Sequence, residues 1–399
     1  MDDKHMLDKL AETYNRRLVA ALKGQGAITS RLVEDAFLSI PRHAFIDSYY
    51  VHDATGTETQ QWRRIERPGE GDAAGWLEGV YAKVPLVTAF DEAGTPSSSS
   101  SSPDIMAFML EALRLSPGMR VLEIGTGTGY NAALLAHIVE DPGQVFSVEL
   151  QPSLAYEAQQ KLDAVVGKGI TVHFGNGLEG YSPGAPYDRI IATGSYHKVP
   201  LAWLDQLKEG GVLVMNMGRD RASSMGILRL EKTGPKRKAE GRFLSPGYFM
   251  QLREPGQVAD RDAMSRFSQD ARRPVTAKLS ITREEFDPTL LMDMQFAFLV
   301  SCELPYASLT WIPKQEDIPF TIDLIDMESE TIVQFRPGEE AGVWEVQVKG
   351  SVQTWERLRL AYQKWVSLGR PKMADYLFEV NEEGGQVLRI RDHSWALSS

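Results

Sequence analysis

Apolar residues in the middle of the chain fall in short runs that alternate with segments of helical spacing. The runs predict five strands, at residues 121–124, 145–148, 170–174, 189–192 and 212–215. The segments between them predict helices at residues 130–139, 152–165 and 200–207. Alternation of this kind is typical of a parallel sheet with helices on both faces, so we predict a doubly wound α/β fold.

Helical spacing also marks the N-terminal region, where apolar residues recur at Leu7, Leu10, Tyr14, Leu18 and Leu22. Thr29 and Ser30 are candidate N-caps of a second helix, which Pro41 ends. Residues 52–80 are polar and rich in glycine. They predict an irregular insertion, either a lid over a site or a solvated loop.

Six consecutive serines, Ser97 to Ser102, stand directly before Pro103. A serine run alone is typical of a flexible linker. Proline is favoured in the first turn of a helix, however, and an apolar stripe that begins at Ile105 follows it. We therefore expect the serines to lead into a helix N-terminus, where hydroxyl and N–H groups converge.

The C-terminal part of the chain has its own pattern and contains five of the eight tryptophans. Most of these should form a core, with one or two available for a binding surface. We predict a separate α+β unit there. Before it, the basic turn at residues 232–238 predicts a solvated hairpin tip, with a docking patch as the alternative.

Composition narrows the class of protein. The 399 residues include 43% hydrophobic and 24% charged residues, which is ordinary for a globular chain. A net charge of −11 disfavours a nucleic-acid substrate, which calls for a basic surface. The charged N-terminus has no signal-peptide core, and no apolar run reaches the ~20 residues that span a membrane. We therefore expect a cytoplasmic protein without a nucleic-acid or membrane partner.

Cysteine and histidine usage adds two expectations. Cys302, the one cysteine, lies in an apolar stretch and predicts a buried thiol rather than a nucleophile. The seven histidines are scattered, so we predict no metal site.

The strongest signal is the turn after the first strand, where Gly125, Gly127 and Gly129 occupy every second position and a helix follows. Glycines there allow a sharp turn and a close approach of backbone to a ligand. The dinucleotide-binding pattern G-x-G-x-x-G would require a glycine at position 130, which is Tyr130, so the chain does not match that pattern. Glu123, two residues before the first glycine, is typical of methyltransferases and can face the cationic methionine end of S-adenosylmethionine.

The next strand tips complete the predicted crevice. Glu149 ends the second strand and can accept both hydroxyls of a ribose, with an exposed surface glutamate as the alternative. Asn176, between Gly175 and Gly177, can contact the adenine edge. His197 lies near the fourth strand tip, where we weigh a substrate contact against an ordinary loop histidine.

These motifs together resemble the protein-L-isoaspartate O-methyltransferases, from about residue 28 to residue 218. The resemblance covers the segment ITSRLVEDAFLSIPRHAFID, the serine–proline–helix element, VLEIGTGTGYNAALLAHIV, SVEL, Phe-Gly-Asn-Gly and PYDRIIATGS. It implies a class I methyltransferase with a Rossmann-like sheet that methylates isoaspartyl or aspartyl carboxylates, and whose ester then closes to a succinimide. It places the substrate-holding serine at Ser101. The usual Gly-Asp-Gly turn is Gly-Asn-Gly here.

We predict a division of the chain into three parts and a set of site residues. The parts are an N-terminal helical region with its insertion (1–95), a methyltransferase domain (96–270) and a C-terminal α+β domain for peptide recognition (271–399). Cofactor contacts, to S-adenosylmethionine or the product S-adenosylhomocysteine, are predicted at Glu123, Gly125, Thr126, Gly127, Gly129, Tyr130, Glu149, Leu150, Asn176 and Gly177. Catalytic serines are predicted at Ser99, Ser100 and Ser101. Substrate contacts are predicted at Ser98, Ser102, Thr193, Ser195 and His197.

The serine run and the long C-terminal extension resemble a subclass that acts on ribosomally made peptides such as lanthipeptides, graspetides and lasso peptides. Our leading hypothesis is therefore an enzyme that esterifies one aspartate of a modified precursor peptide and leads to an aspartimide. The alternatives are a general isoaspartyl repair enzyme and an inactive adaptor that docks peptides. The sequence leaves the oligomeric state open.

Overall fold

The central sheet carries the fold. The computed structural model describes residues 2–53, 61–69, 73–219, 223–253, 274–312 and 320–397. The parallel strands β5 to β9 are Val121–Ile124, Val145–Glu149, Thr171–Phe174, Tyr187–Tyr196 and Leu207–Arg219. They lie in the order β9-β8-β5-β6-β7, so the strand order reverses beside β5. The doubly wound sheet predicted from the sequence is confirmed.

Helices cover both faces of these strands. Helices α4 to α7 are Pro103–Leu113, Tyr130–Val139, Pro152–Val165 and Leu201–Gln206. The N-terminal helices α1 and α2 are Asp2–Gly24 and Arg31–Ser39. Ser30 caps α2, because its hydroxyl accepts a hydrogen bond from the Val33 N–H. Both N-terminal helices bury their apolar faces in the core that also holds α4 and α5.

The segment predicted to be irregular is ordered where the structure describes it, so that prediction is wrong there. Strand β1 (Ser48–Asp53) pairs with β2 (Gln61–Glu66), and α3 (Ala73–Val80) follows. Strands β3 (Leu86–Phe90) and β4 (Pro96–Ser100) complete a four-stranded sheet. Aromatic contacts between strands stabilise this sheet: the ring centres of Trp62 and Phe90 are 5.5 Å apart. The polar composition of the segment does not reveal such contacts.

The rest of the central sheet is antiparallel. Strands β10 (Ser223–Lys232) and β11 (Ala239–Ser245) form the predicted hairpin with the basic turn at its tip. The last three strands, β17 to β19, are Leu377–Val380, Gln386–Ile390 and His393–Ala396, and β17 pairs with β11. The central sheet therefore contains strands from both sides of the predicted boundary at residue 270.

A second sheet is formed by the residues that lie between β11 and β17 in the sequence. Its strands β12 to β16 are Ala277–Thr282, Ala307–Ile312, Thr321–Asp326, Thr331–Pro337 and Val343–Lys349. Helices α8 (Met294–Glu303) and α9 (Val352–Ser367) complete this part. Its core is continuous with that of the central sheet, since Phe298 of α8 lies 4.9 Å from Phe243 of β11 between ring centres.

The cysteine and most of the C-terminal tryptophans lie in the core. Cys302 is buried, as predicted. Trp344, Trp355 and Trp365 are buried, whereas Trp311 is 60% exposed. Of the helices that the structure describes, none is long and apolar enough to cross a membrane. Within the same residues there is no group of three His, Cys, Asp or Glu side chains placed to hold a metal ion.

Candidate active-site cleft

A cleft of about 840 Å³ lies at the carboxyl ends of β5, β6 and β8. Strand β4 forms a second wall, and residues 247–253 form a third. This is the edge at which the strand order reverses, where open α/β sheets bind their ligands. The predicted site residues that line the cleft are Ser98, Ser99, Ser101, Ser102, Gly125, Gly127, Glu149, Leu150, Gly177 and Thr193.

The glycine turn forms the floor of the cleft. Gly125 has φ +91° and Gly127 has φ +53°, a region that side chains other than hydrogen disfavour. A Cβ on Gly125 would lie 2.9 Å from the Thr193 Oγ1, and one on Gly127 would lie 3.3 Å from the Ser99 carbonyl oxygen. The turn therefore exposes backbone without side chains to the cleft. At Gly127 it contacts the second wall, which we call the serine wall because Ser98, Ser99, Ser101 and Ser102 line it.

Glu149 lies beside this turn at the end of β6. Its Oε2 accepts the Gly127 N–H at 2.9 Å, and its Oε1 accepts the Gln151 N–H at 3.1 Å. Two backbone donors thus fix the carboxylate at the cleft wall. A carboxylate in this place has the chemistry to accept ribose hydroxyls, as the sequence predicts.

Glu123 occupies a different environment from the one predicted. It is fully buried beneath the turn, where it accepts hydrogen bonds from the Ser147 hydroxyl at 2.5 Å and the Asn131 amide at 2.8 Å. Burial raises the pKa of the Glu123 carboxyl to about 7, and the nearby Glu149 charge adds to the rise. Glu123 therefore supports the glycine turn from below. It does not line the cleft, which corrects its predicted contact with the cofactor.

Three further predicted cofactor residues also face the core. The Thr126 hydroxyl bonds the Ser147 hydroxyl at 2.6 Å, behind the turn. A Cβ on Gly129 would meet Leu162 of α6 at 3.3 Å, so this glycine serves helix packing. The Tyr130 ring is buried against Phe45, 5.7 Å away between ring centres. Thr126, Gly129 and Tyr130 are therefore absent from the cleft lining.

The turn after β7 also differs in detail from the prediction. Asn176 caps its own turn, because its Oδ1 accepts the Leu178 N–H at 3.1 Å and its Nδ2 donates to Glu179 at 3.2 Å. Gly177 and Leu178, rather than the Asn176 side chain, line the cleft. The Gly177 carbonyl is held by the Trp203 indole N–H at 2.8 Å.

The serine run forms the end of β4 and then leads into α4, as predicted: Pro96–Ser100 pair with β3, Ser102 is the N-cap residue of α4, and the helix begins at Pro103. Ser98, Ser99 and Ser101 line the cleft, and the Ser98 hydroxyl lies 3.7 Å from the Cβ position of Gly127. Ser100 points the other way: it is 3% exposed, and its hydroxyl accepts a hydrogen bond from Arg42 Nε at 3.3 Å. Its predicted catalytic role is therefore corrected.

The tip of β8 supplies one of its three predicted contacts. Thr193 lines the cleft, and its hydroxyl donates to the Gly125 carbonyl at 2.7 Å, which ties β8 to the glycine turn. The Ser195 side chain is buried behind the wall, at 2% exposure. The His197 ring packs on Tyr196, 4.3 Å away between ring centres, and lies off the cleft lining.

The third wall, residues 247–253, was not predicted from the sequence. Its backbone pairs with Ser195, whose N–H donates to the Met250 carbonyl at 2.8 Å and whose carbonyl accepts the Leu252 N–H at 2.8 Å. Arg253 then forms an ion pair with Asp91 at 2.7 Å, on the loop between β3 and β4. The wall is a short irregular segment, so no periodic pattern marks it; only its apolar residues after Gly247 could have pointed to it.

Known proteins resemble the chain across this site. A family model described as protein-L-isoaspartate(D-aspartate) O-methyltransferase matches residues 73–244. The protein-L-isoaspartate O-methyltransferase of Pyrococcus horikoshii is 35% identical over 218 residues, which are 55% of this chain and 81% of that protein. The enzyme of the same name from Ignicoccus hospitalis is 34% identical over 204 residues, 51% of this chain and 82% of that protein.

A solved structure described as a protein-L-isoaspartate O-methyltransferase shares the fold, with a TM-score of 0.54 and 23% identity. The match covers 94% of this chain and 99% of that one, so it extends through the C-terminal part. The class I methyltransferase fold predicted from the sequence is thus confirmed. The predicted S-adenosylmethionine is the cofactor of the matching family. With this site and these relatives, the chain belongs to the protein-L-isoaspartate O-methyltransferase family.

Proposed function

We propose that this protein methylates the free carboxylate of an isoaspartyl residue in a peptide, with S-adenosylmethionine as donor. One observation carries the proposal: the glycine turn with Glu149 and the serine face of β4 line the same cleft. The Ser99 carbonyl oxygen lies 3.3 Å from the Cβ position of Gly127, so the two walls meet. A cofactor on one wall and an acceptor on the other would be adjacent.

The residues of the first wall suit this cofactor. Glu149 offers carboxylate oxygens for ribose hydroxyls, and the positive φ values at Gly125 and Gly127 leave backbone accessible to a ligand. Gly177 and Leu178 form the adjoining surface, where a base would lie. When bound, the sulfonium supplies an electrophilic methyl group.

The residues of the second wall suit an anionic acceptor. A carboxylate with a pKa of ~4 is already ionised at neutral pH, so no general base is needed to remove a proton. The Ser101 hydroxyl can donate a hydrogen bond to it without taking a proton. A carboxylate oxygen then bonds to the methyl carbon while the carbon–sulfur bond breaks, and its electron pair stays on sulfur. The products are a methyl ester and a neutral thioether.

The ester prepares a second step that needs no further residue. The backbone amide nitrogen that follows the esterified residue attacks the ester carbonyl, loses its proton and expels methanol, which leaves a succinimide. The family to which the chain belongs, and relatives of which it covers four fifths, support an isoaspartyl acceptor.

The peptide-tailoring hypothesis is the second candidate, an aspartyl O-methyltransferase of a ribosomally made, modified peptide that leads to an aspartimide. The six serines favour it, because Ser98, Ser99 and Ser101 line the cleft with hydroxyls that can donate to an acceptor, whereas the Ser102 hydroxyl donates to Asp104. The C-terminal extension does not separate the two candidates, since a solved isoaspartyl methyltransferase covers 94% of this chain.

The decisive experiment offers the enzyme and cofactor two acceptors, a short unstructured isoaspartyl peptide and a macrocyclic peptide with a normal aspartate. Mass spectrometry follows each for the gain of one methyl group and then for the loss of methanol. We expect methylation of the isoaspartyl peptide. Methylation of the macrocycle alone would favour the tailoring candidate, and methylation of neither would contradict both.

The first substitution to test is Ser101→Ala. It removes a hydroxyl from the acceptor wall and leaves the cofactor wall intact. We expect cofactor affinity within about twofold of wild type and a decrease in kcat/KM of roughly tenfold, the scale of one lost hydrogen bond to a charged group. Calorimetry with S-adenosylhomocysteine and initial rates measure the two quantities. Ser116→Ala, at an exposed serine beyond α4, is the control. An equal loss of both quantities would contradict the assigned role.

A further inference from the structure

Arg42 is a charged side chain in the core directly behind the serine wall. It is 0% exposed. Its Nη1 donates to the carbonyls of Val80 at 2.7 Å and Ala82 at 3.1 Å. Its Nη2 donates to the carbonyls of Ser100 at 3.2 Å and Ser101 at 3.1 Å. A buried guanidinium that bonds neutral carbonyls instead of a carboxylate keeps its full positive charge beside the cleft wall.

These bonds determine how the next peptide group faces. The peptide between Ser101 and Ser102 is trans, and in a trans peptide the carbonyl and the N–H point in opposite directions. The Ser101 carbonyl points into the core at Arg42, so the Ser102 N–H points away from Arg42. Both Ser101 and Ser102 line the cleft. The Ser102 N–H therefore faces the side where the acceptor would bind.

We propose that Arg42 is a positioning residue for the acceptor carboxylate: it holds the Ser101–Ser102 peptide so that the Ser101 hydroxyl and the Ser102 N–H meet one carboxylate. The inference rests on the proposed function. The charge of Arg42 contributes as well, because a cation in a low-dielectric interior favours an anion at the adjoining wall.

Arginine suits this position better than lysine. Its planar fork reaches carbonyls on α3, on the loop after it and on the serine run at fixed angles, whereas a lysine ammonium is a single point of donation. Burial lowers the pKa of Arg42 to about 10, which still leaves the guanidinium charged at neutral pH.

The test compares Arg42→Lys and Arg42→Met with wild type. Arg189→Lys is the matched control, because Arg189 also donates to backbone carbonyls, at Leu113 (2.6 Å) and Arg114 (3.2 Å), but lies at the start of β8 away from the cleft. Three quantities are measured on each protein after circular dichroism has shown it to be folded. They are the Kd for S-adenosylhomocysteine, the kcat and KM for the isoaspartyl peptide, and the inhibition constants of an aspartyl peptide and its carboxamide analogue.

For Arg42→Lys we expect a Kd for S-adenosylhomocysteine within about twofold of wild type and a kcat/KM lowered roughly ten- to a hundredfold, as for a misplaced binding group. The preference for carboxylate over carboxamide should also shrink, and shrink further in Arg42→Met. Arg189→Lys should keep both the rate and the preference. A folded Arg42→Lys protein with wild-type kcat/KM and preference would overturn the inference, and so would a parallel loss of cofactor affinity.

A measurement on the wild-type protein covers the case in which the variants do not fold. The Ser102 amide resonance should shift when the carboxylate peptide binds and remain unmoved with the carboxamide. An unchanged resonance with bound carboxylate peptide would sink the inference. If wild type methylates no acceptor, the proposed function fails instead, so the two failures are distinguishable.

Discussion

At the scale of single residues, two glutamates at neighbouring strand ends show how environment decides role. Glu149 lies at the cleft wall, fixed by two backbone N–H groups. Glu123 ends up beneath the glycine turn with Ser147 and Asn131 as its partners. The residue type is the same, but the Glu149 carboxylate can reach a ligand, whereas the Glu123 carboxyl supports the glycine turn whose backbone faces the ligand. Motif position alone did not separate these roles.

The raised pKa of Glu123 predicts a pH-dependent stability. Because the folded-state pKa is about 7, above the ordinary 4.5, the folded protein favours the protonated form. The stabilisation is fully present below about pH 4.5 and is lost as the pH rises through about 7. Glu123→Gln keeps a neutral group at this position at every pH. The substitution should therefore abolish a pH-dependent change in the free energy of unfolding on the order of 3 kcal/mol.

Urea unfolding at pH 5 and pH 8 measures this effect. Wild type should lose more stability than Glu123→Gln between the two pH values. Glu157→Gln, at an exposed position on α6, should behave like wild type. If the wild-type and Glu123→Gln proteins lose the same stability over this range, the buried carboxyl does not titrate as described.

At the scale of elements, the cleft depends on how the glycine turn meets β4. The turn lies within contact distance of the Ser99 carbonyl oxygen and the Ser98 hydroxyl, and the pairing of β4 with β3 holds this part of the serine run beside it. The first turn of α5 carries Gly129 and Tyr130 into the core on the opposite side. One loop thus joins two functions, an open backbone surface toward the ligand and close packing of α5 on α6.

Gly127→Val tests the turn. A side chain there would meet the Ser99 carbonyl oxygen at 3.3 Å and the Ser98 hydroxyl at 3.7 Å, and it would occupy the space beside Glu149. We expect affinity for S-adenosylhomocysteine to fall at least tenfold in calorimetry, with the protein still folded. This corresponds to roughly 1.4 kcal/mol of binding free energy.

Gly118→Val separates backbone strain from steric exclusion. Gly118 also has a positive φ, +78°, but a Cβ there would meet nothing within 4 Å. Strain of about 1–2 kcal/mol should lower the stability of both variants. Cofactor affinity should fall only for Gly127→Val. Equal affinities would show that the turn does not contact the cofactor.

At the scale of the whole molecule, the C-terminal part shares the core of the catalytic part. Strand β17 extends the central sheet through β11, and Phe298 packs between Phe243 and Tyr376. The Glu303 carboxylate further joins Lys364 of α9 to the indole N–H of Trp395 in the last strand. The division of the chain at residue 270 stays a prediction, and recognition of peptides by residues 271–399 remains a proposal.

This continuity predicts one cooperative unfolding transition. Phe298→Ala removes a fully packed ring between the two parts and should lower the free energy of unfolding by about 3–5 kcal/mol. Calorimetry and intrinsic fluorescence should report the same midpoint for it, as for wild type. Leu360→Ala, at a position that is 57% exposed on α9, should cost little. Two separate transitions would contradict a shared core.

Patterns along the chain were enough to predict the strand–helix alternation, the limits of β5, α5 and α6, and the family. These depend on local periodicity and on glycines at fixed spacing, which act over a few neighbouring residues. The same local signals predicted that Glu149 and Gly127 lie at one edge of the sheet, and the family resemblance added Ser101 to that site.

Which side chains reach the cleft depends on contacts between distant parts of the chain. Ser100 and Glu123 turned inward because Arg42 and Asn131, distant along the chain or on the next helix, offered them buried partners. The third wall, residues 247–253, became part of the site through backbone pairing with Ser195. Direction, burial and long-range pairing depend on contacts between segments far apart in sequence, and the spacing of residues along the chain does not contain them.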